Sequence, residues 1–435
     1  MNQRLSFAIS CALVSCGLLV ASQSAFAITD LETNSAIPFS FSNPGARSLG
    51  MGGAFVGLAD DATAAYTNPA GLTQLVQTEV SLEGRRVDTN SPYTSGGSAT
   101  LNPFAFSGVT VGNVKNSNSS PSFISLVLPR GDWSFAFYRH ELAKFNTAFS
   151  AGGTLLNDFL VNGVPQEVTP FGATADLHIV DYGFATALKA NDHLSLGVDV
   201  SYYDFSLSSL RGAFFNNNLT NAVSDSGSDH SLAATIGARL RFNDQWSAGL
   251  AYRVSPKFDY KETIFVPSST GGIVSLGSID AQFKVPDMLS AGVSFHPTDV
   301  LVVNFDLDRV YYSQLTGKLN SVFDIPASTL DHLNVPNGTE AHVGAEYTFA
   351  NVSNPLSLRG GIWYDPRHTI QFQGTPQTGL DLTEAVVFGG GYGGKVHYSF
   401  GGGMVFPKLH NLQLDAAYDW SDKIQTASVS AVYRF

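Results

Sequence analysis

Side chains able to do chemistry are present in numbers, but they are not grouped for it. Ten histidines are scattered along 435 residues without a pair at metal-ligand spacing. No serine, histidine and acid share the local context of a nucleophile, so no catalytic residue is expected and the chain does not read as an enzyme. The glycine clusters at 50–53 and 389–394 do not follow a strand and open a helix, as a nucleotide loop must. The run Ser224-Asp225-Ser226-Gly227-Ser228-Asp229 lacks the Glu that completes a calcium loop and reads as a solvated outer loop. The expectation is therefore no metal and no cofactor. Both cysteines, Cys11 and Cys16, lie in the first 27 residues, which leaves the rest of the chain without disulfides or thiol chemistry.

What remains is suited to non-covalent work. Asn68-Pro69-Ala70 reads as a helix start, because Asn is a preferred N-cap and Pro fits the first helical position. Phe39 and Phe41 stand two apart beside Pro38. Phe149, Leu155, Leu156, Phe159 and Leu160 fall in a stretch, 145–171, that reads as an outer loop. Such a cluster is either a surface that catches apolar ligands or a small loop core. Arg239, Arg241, Arg253 and Arg359 share an alternating face with Asp199, Asp306 and Asp308. They either steer a polar solute or pair with one another and with Arg47, Asp60 and Asp61.

The elements that would position these groups follow from the pattern of the chain. Residues 1–27 have the parts of a secretory signal: Arg4, an apolar run from Leu5 to Val20, and Ala25-Phe26-Ala27. Removing Arg4 takes the formal net charge from -12 to -13, a poor basis for nucleic-acid binding. Residues 28–77 contain a small, Gly- and Ala-rich stretch from Gly45 to Leu75 that does not alternate, and it reads as a compact plug of short helices and turns. From residue 78 to 435 the pattern has period two. Leu196, Val198, Val200 and Tyr202, for example, oppose Ser195, Gly197, Asp199 and Ser201.

About fourteen such segments are countable, at 78–88, 119–129, 133–144, 173–189, 194–210, 228–242, 246–262, 278–295, 300–318, 339–350, 355–372, 386–406, 412–420 and 424–435. Every second connection is tight and most of the others are long. With only 14% charged residues and a mean hydropathy of +0.05, this predicts an all-β transmembrane barrel of about fourteen antiparallel strands in a bacterial outer membrane, turns in the periplasm. The alternating last strand ends in an aromatic residue, Phe435, as outer-membrane barrels commonly do. A lumen of that width is either open or occupied. The non-alternating stretch before the first strand supplies an occupant, a helical hatch.

Gly45-Ala46-Arg47, Gly50 to Gly53, Ala59-Asp60-Asp61-Ala62 and above all Asn68-Pro69-Ala70-Gly71-Leu72 make the chain resemble the long-chain fatty acid transporter family of Gram-negative outer membranes (FadL/TodX-like), which includes importers of toluene-like hydrocarbons. Pro129 to Phe145, Val285-Pro286-Asp287-Met288 and Phe435 extend the resemblance over the mature chain. It implies passive transport: hydrophobic ligand captured by outer loops, held in an apolar lumen pocket, and released sideways into outer-membrane lipid through a gap at a kinked third strand. Independently of the resemblance, the aromatic end at Phe435 makes the barrel assembly machinery an expected partner, and a monomer is expected, although oligomeric state cannot be read from the sequence. The hatch motif lies near the kink in that family, which carries the exit role to Asn68, Pro69 and Ala70. Arg211 sits about where the family has a carboxylate-binding Arg. The family's Lys ahead of strand ten is absent from Asn337-Gly338-Thr339-Glu340, and an acid is added. That favours an uncharged substrate over a fatty acid. The third segment, Trp133 to Leu142, has no Gly or Pro to explain a kink. The Gly-rich run Phe388 to Gly394 is a place where the wall could yield or the plug press close. Two other readings stay open: a diffusion porin for polar solutes, and a structural or surface-binding barrel.

Overall fold

The computed structural model describes residues 41–101, 104–168, 171–215, 218–268, 271–316, 332–378, 381–382, 385 and 393–435. The expected signal segment 1–27, residues 28–40 with Phe39, and Gly389 to Tyr392 lie outside them.

Fourteen strands form one closed antiparallel ring. The first seven are β1 Glu79–Ser95, β2 Thr110–Arg130, β3 Trp133–Ala151, β4 Phe171–Lys189, β5 Leu194–Phe215, β6 Asn218–Arg241 and β7 Trp246–Val254. The others are β8 Met288–Thr298, β9 Leu301–Val310, β10 Gly338–Phe349, β11 Leu356–Asp365, β12 Lys395–Phe406, β13 Leu412–Trp420 and β14 Ile424–Arg434. Each pairs with its chain neighbour, and β14 pairs with β1 from Ile424↔Thr89 to Arg434↔Glu79, so the last strand leaves no open edge. The Phe435 N–H donates to the Thr78 carbonyl at 2.9 Å, fastening the two ends. No helix among the described residues is long and apolar enough to cross a membrane, so strands do the crossing.

The alternation sorts as the sequence predicts. On β5, Leu196, Val198, Val200 and Tyr202 are exposed on the outside, while Ser195, Asp199 and Ser201 are buried within. On β9, Val303, Phe305 and Leu307 face out and Asn304, Asp306 and Asp308 face in. An apolar outer band with a polar interior is the reverse of a water-soluble sandwich.

Three expected boundaries are corrected. The stretches 246–262 and 278–295 are not single strands. β7 stops at Val254 and β8 starts at Met288, because Pro256 and Pro286 cannot donate to the ladder. Between them Lys257–Pro267 and Ile273–Lys284 form a hairpin that pairs with the outer part of β6, Ala222↔Phe265 to Ser226↔Lys261. Second, much of the expected outer loop at 89–118, 145–172 and 211–227 is strand extended beyond the wall. The acidic run Ser224–Asp229 is accordingly strand, not loop, and Asp225 accepts from the Ser209 hydroxyl at 2.6 Å. Third, β12 is described from Lys395, after Gly393 and Gly394 outside the strand, and the expected start at 386 lies outside the described residues.

Candidate transport path

Residues 41–75 lie inside the ring. Two short helices, α1 Ala46–Gly50 and α2 Ala64–Thr67, and a 3-10 turn, Pro69–Gln74, carry the segment, and nearly every residue from Asn43 to Leu72 is buried. Arg47 lies 2.5 Å from Asp60, 3.6 Å from Asp61 and 2.8 Å from Glu346 of β10, linking the segment to itself and to the wall. Burial works against its charge, yet Asp60 and Glu346 hold the Arg47 guanidinium well above its ordinary pKa. Burial pushes the Asp61 carboxyl up, against the pull of Arg47. In several further ties a wall side chain satisfies segment backbone. Asp306 accepts the N–H groups of Phe55 and Val56 at 2.5 and 2.6 Å, Arg253 donates to the Tyr66 carbonyl at 2.7 Å, and Ser247 donates to the Gly57 carbonyl at 3.0 Å. Of the inward charges, then, Asp306, Arg253 and Arg359 (on Glu346 and Asp415) bind segment or wall. Arg241 is corrected: it is exposed at a turn beside Asp244.

Asn68 caps the 3-10 turn as expected, its side-chain oxygen accepting from the Ala70 N–H at 3.3 Å. Its amide also donates to the Val56 carbonyl at 3.2 Å and to the Ala238 carbonyl of β6 at 3.1 Å. Asn68, Pro69 and Ala70 press on wall glycines, Gly237 and Gly249 against Asn68 and Gly197 against Pro69 and Ala70, where any side chain would collide. The motif thus sits against β5, β6 and β7. Tyr66, two residues earlier, packs on β3, its ring 4.2 Å from that of His140.

His140 marks an interruption in the wall. β2 and β3 pair only from Arg130↔Trp133 to Phe123↔His140. Beyond that level β2 pairs with β1 and β3 with β4. Both strands carry an extra residue there: Ser122 lies in the register shift opposite Glu83/Gly84, and Leu142 in the shift between Glu141 and Ala143. Side chains replace the missing ladder. The Ser120 hydroxyl bonds Glu141, and Arg139 donates to the Pro121 carbonyl at 2.6 Å. Eight paired residues below the split span about 26 Å of strand, or about 19 Å of height at a tilt of about 45°. That is within an apolar band about 25 Å tall. On the outer wall the same level carries a groove lined by Leu82, Gly84, Pro121 and Val429. The bulge at Leu142 needs neither Gly nor Pro, so β3 itself gave no sign; Pro121, unable to donate within the second segment, was the available signal.

Above the inner segment the lumen holds an apolar cluster. Phe41, Tyr312, Leu333, Val335 and Ile370 belong to one buried cluster that continues through Phe205, Phe258 and Phe283 to Leu142, the bulged residue. Beside it a cavity of about 60 Å³ is lined by Phe41, Tyr312, Trp363, three histidines and the carboxylates Asp308, Glu340, Asp365 and Asp419. No Lys or Arg is among its lining residues. Phe41 contributes to both, its ring edge-on to Tyr312 at 6.0 Å.

The remaining expected residues are dispersed. Arg211 lies partly buried in the outer part of β5, the register partner of Ala173 and Val223, and does not line that cavity. The stretch 145–171 is not an irregular loop. β3 continues through Phe149 to Ala151, and a four-stranded outer sheet adds Thr154–Val161, which holds Leu155, Leu156, Phe159 and Leu160, to Val164–Val168, Ser98–Leu101 and Phe104–Ser107. Leu156 packs with Ala99 and Leu382 in a small core, while Leu155 and Leu160 are exposed. The two readings of this cluster therefore divide between its members.

Comparison with known proteins agrees with the geometry. The family described as outer membrane protein transport protein (OMPP1/FadL/TodX) matches residues 33–378. No curated protein sequence matches. Among solved structures the fold is similar to a Pseudomonas aeruginosa FadL homologue, at 16% identity and a TM-score of 0.64 over 92% of this chain and 99% of that one. It is also similar to the P. putida toluene transporter TodX, at 18% and 0.57 over 91% and 99%, and to the Ralstonia pickettii toluene transporter TbuX, at 16% and 0.56 over the same shares. A closed ring of fourteen strands, an interior filled by residues before β1, and a family match over most of the length lead to one assignment: this chain belongs to the OMPP1/FadL/TodX family of outer-membrane transport proteins.

Proposed function

We propose that the protein is a passive, non-enzymatic outer-membrane channel for uncharged hydrophobic small molecules, plugged by residues 41–75 and discharging sideways between β2 and β3. The observation that carries this reading is the apolar cluster running from Phe41, Tyr312 and Ile370 to Leu142 at the split. A hydrocarbon gains about 0.8 kcal/mol per buried CH₂, so it follows an apolar lining into lipid and avoids a watery pore. The named neighbours TodX and TbuX are toluene transporters, which supports the same substrate class. The cavity beside the path favours neutral ligands, because four carboxylates line it and no Lys or Arg does. Glu340, from the run that lacks the family's Lys, is one of the four and is buried under the Tyr312 hydroxyl at 2.8 Å. The barrel closes on itself and works as a monomer, with Phe435 exposed for the assembly machinery.

The deciding experiment is uptake of labelled toluene, alkane and fatty acid by cells with and without the protein. Toluene or alkane uptake rises and fatty-acid uptake does not. Equal or greater stimulation of fatty-acid uptake overturns the neutral-substrate reading.

In this reading Asn68 holds the seat of the plug. Asn68→Ala removes a cap and leaves the Val56 and Ala238 carbonyls short of a donor, a cost of about 1–3 kcal/mol. Uptake falls while heat-modifiable gel migration shows an intact barrel. Unchanged uptake at normal surface level removes Asn68 from the mechanism.

A further inference from the structure

We propose that Asp308, Glu340 and His342 form a divalent-cation site, of the chemistry that takes Zn²⁺, on the inner wall between β9 and β10. Asp308 and Glu340 are register partners across the two strands, and His342 follows two residues along β10 on the same inward face. Each is less than a tenth exposed. One donor atom from each lies within 4.8 Å of the other two.

The histidine is the informative member. Its Nδ1 lies 2.7 Å from the Gly52 carbonyl oxygen, which can only accept, so Nδ1 carries the proton. In the neutral ring Nε2 then points its lone pair into the cluster. It stands 3.3 Å from Asp308 Oδ2 and 3.6 Å from Glu340 Oε2, and it makes no hydrogen bond to either. Asp308 Oδ1 is also without a hydrogen bond. Two ligand atoms bound to one Zn²⁺ at about 2.1 Å in tetrahedral geometry stand about 3.4 Å apart. The separations on either side of Nε2 have that size.

The surroundings hold the donors in place as the outer shell of a metal site does. The Gly52 carbonyl fixes the tautomer. Trp363 lies flat against the His342 ring, 5.2 Å between centroids and 14° between planes, and the Tyr312 hydroxyl holds the other oxygen of Glu340. With no Lys or Arg lining the adjoining cavity, a cation here would neutralise two buried carboxylates, and the cavity leaves room for a water as fourth ligand. Histidine spacing along the chain does not reveal this set, since two donors are carboxylates and one comes from the next strand. A metal at this position would also tie β9 and β10 to the inner segment through His342 and Gly52. The site does not depend on which solute the channel carries.

The test uses tag-free protein in detergent, stripped with EDTA and titrated calorimetrically with Zn²⁺. Wild type binds one equivalent, and His342→Gln and Asp308→Asn each lower the affinity about 100-fold or more. If those variants fail to give a heat-modifiable barrel, zinc-edge X-ray absorption on wild type decides, with a first shell of nitrogen and oxygen at about 2.0–2.1 Å and the imidazole signature expected. Absence of saturable binding in wild type, binding unchanged in both variants, or a spectrum without imidazole overturns the site. In that case a doubly protonated His342 paired with the two acids accounts for the geometry.

Discussion

Bridging β2 to β3 above the split abolishes uptake, and releasing the bridge restores it. Ser120→Cys with Glu141→Cys places two thiols where side chains already touch across the gap. The background is clean, because Cys11 and Cys16 are the chain's only cysteines and both precede the described residues. A short bis-thiosulfonate reagent closes the opening covalently without altering the paired wall beneath it. An eight-carbon alkane denied the side exit would have to leave through water, at a cost of about 6 kcal/mol from about 0.8 kcal/mol per CH₂. Uptake of alkane or toluene therefore falls to the level of cells lacking the protein, and reduction returns it. The matched control places cysteines at Leu126 and Phe137, register partners below the split whose bridging changes nothing. Complete cross-linking at 120 and 141 with undiminished uptake would place the exit elsewhere in the wall.

What could be read from the chain beforehand divides along physical lines. Strand number and the closed ring were legible because alternation is local: each of the fourteen segments shows its outward apolar face by itself, as in Leu196 to Tyr202. The placement of Gly45 to Leu75 in the lumen was legible by exclusion, since that stretch does not alternate and precedes a ring too wide to fill itself. The helix start at Asn68-Pro69 was local too, and it is present. Features made by two distant segments were not legible. The split depends on Ser122 and Leu142 bulging at the same level of adjacent strands, and the triad of Asp308, Glu340 and His342 depends on one register between β9 and β10. Strand ends were misjudged wherever pairing outlasts the wall, as in β5 and β6, because beyond the membrane no apolar outer face is demanded and the alternation that marks a strand lapses while the ladder continues.

The inward glycines make the second strong expectation, since they record where the plug touches the wall. A side chain at Gly249 of β7 would run into the Val56 carbonyl and the Asn68 amide, and one at Gly344 of β10 into the Met51 carbonyl. Backbone on both sides cannot turn aside, so the segment itself has to move. Gly249→Val then raises the energy of the seated plug by about 1–3 kcal/mol, the usual cost of overpacking. The fourteen-strand ladder, held by its own hydrogen bonds, survives. In planar bilayers wild type stays closed, Gly249→Val shows brief openings, and Gly249→Val with Gly344→Val stays open much longer, because the two strains add on one rigid segment. Gly360→Val is the control. Gly360 faces outward with open space around it, and valine there also suits a strand, so conductance does not change. A folded double variant that conducts no more than wild type would mean that residues 41–75 do not seal the lumen. A large steady conductance in wild type would mean the same and would restore the porin reading. The wedge therefore tests the plug without touching any residue of the apolar path or of the side exit, and its outcome is independent of the cross-link between β2 and β3.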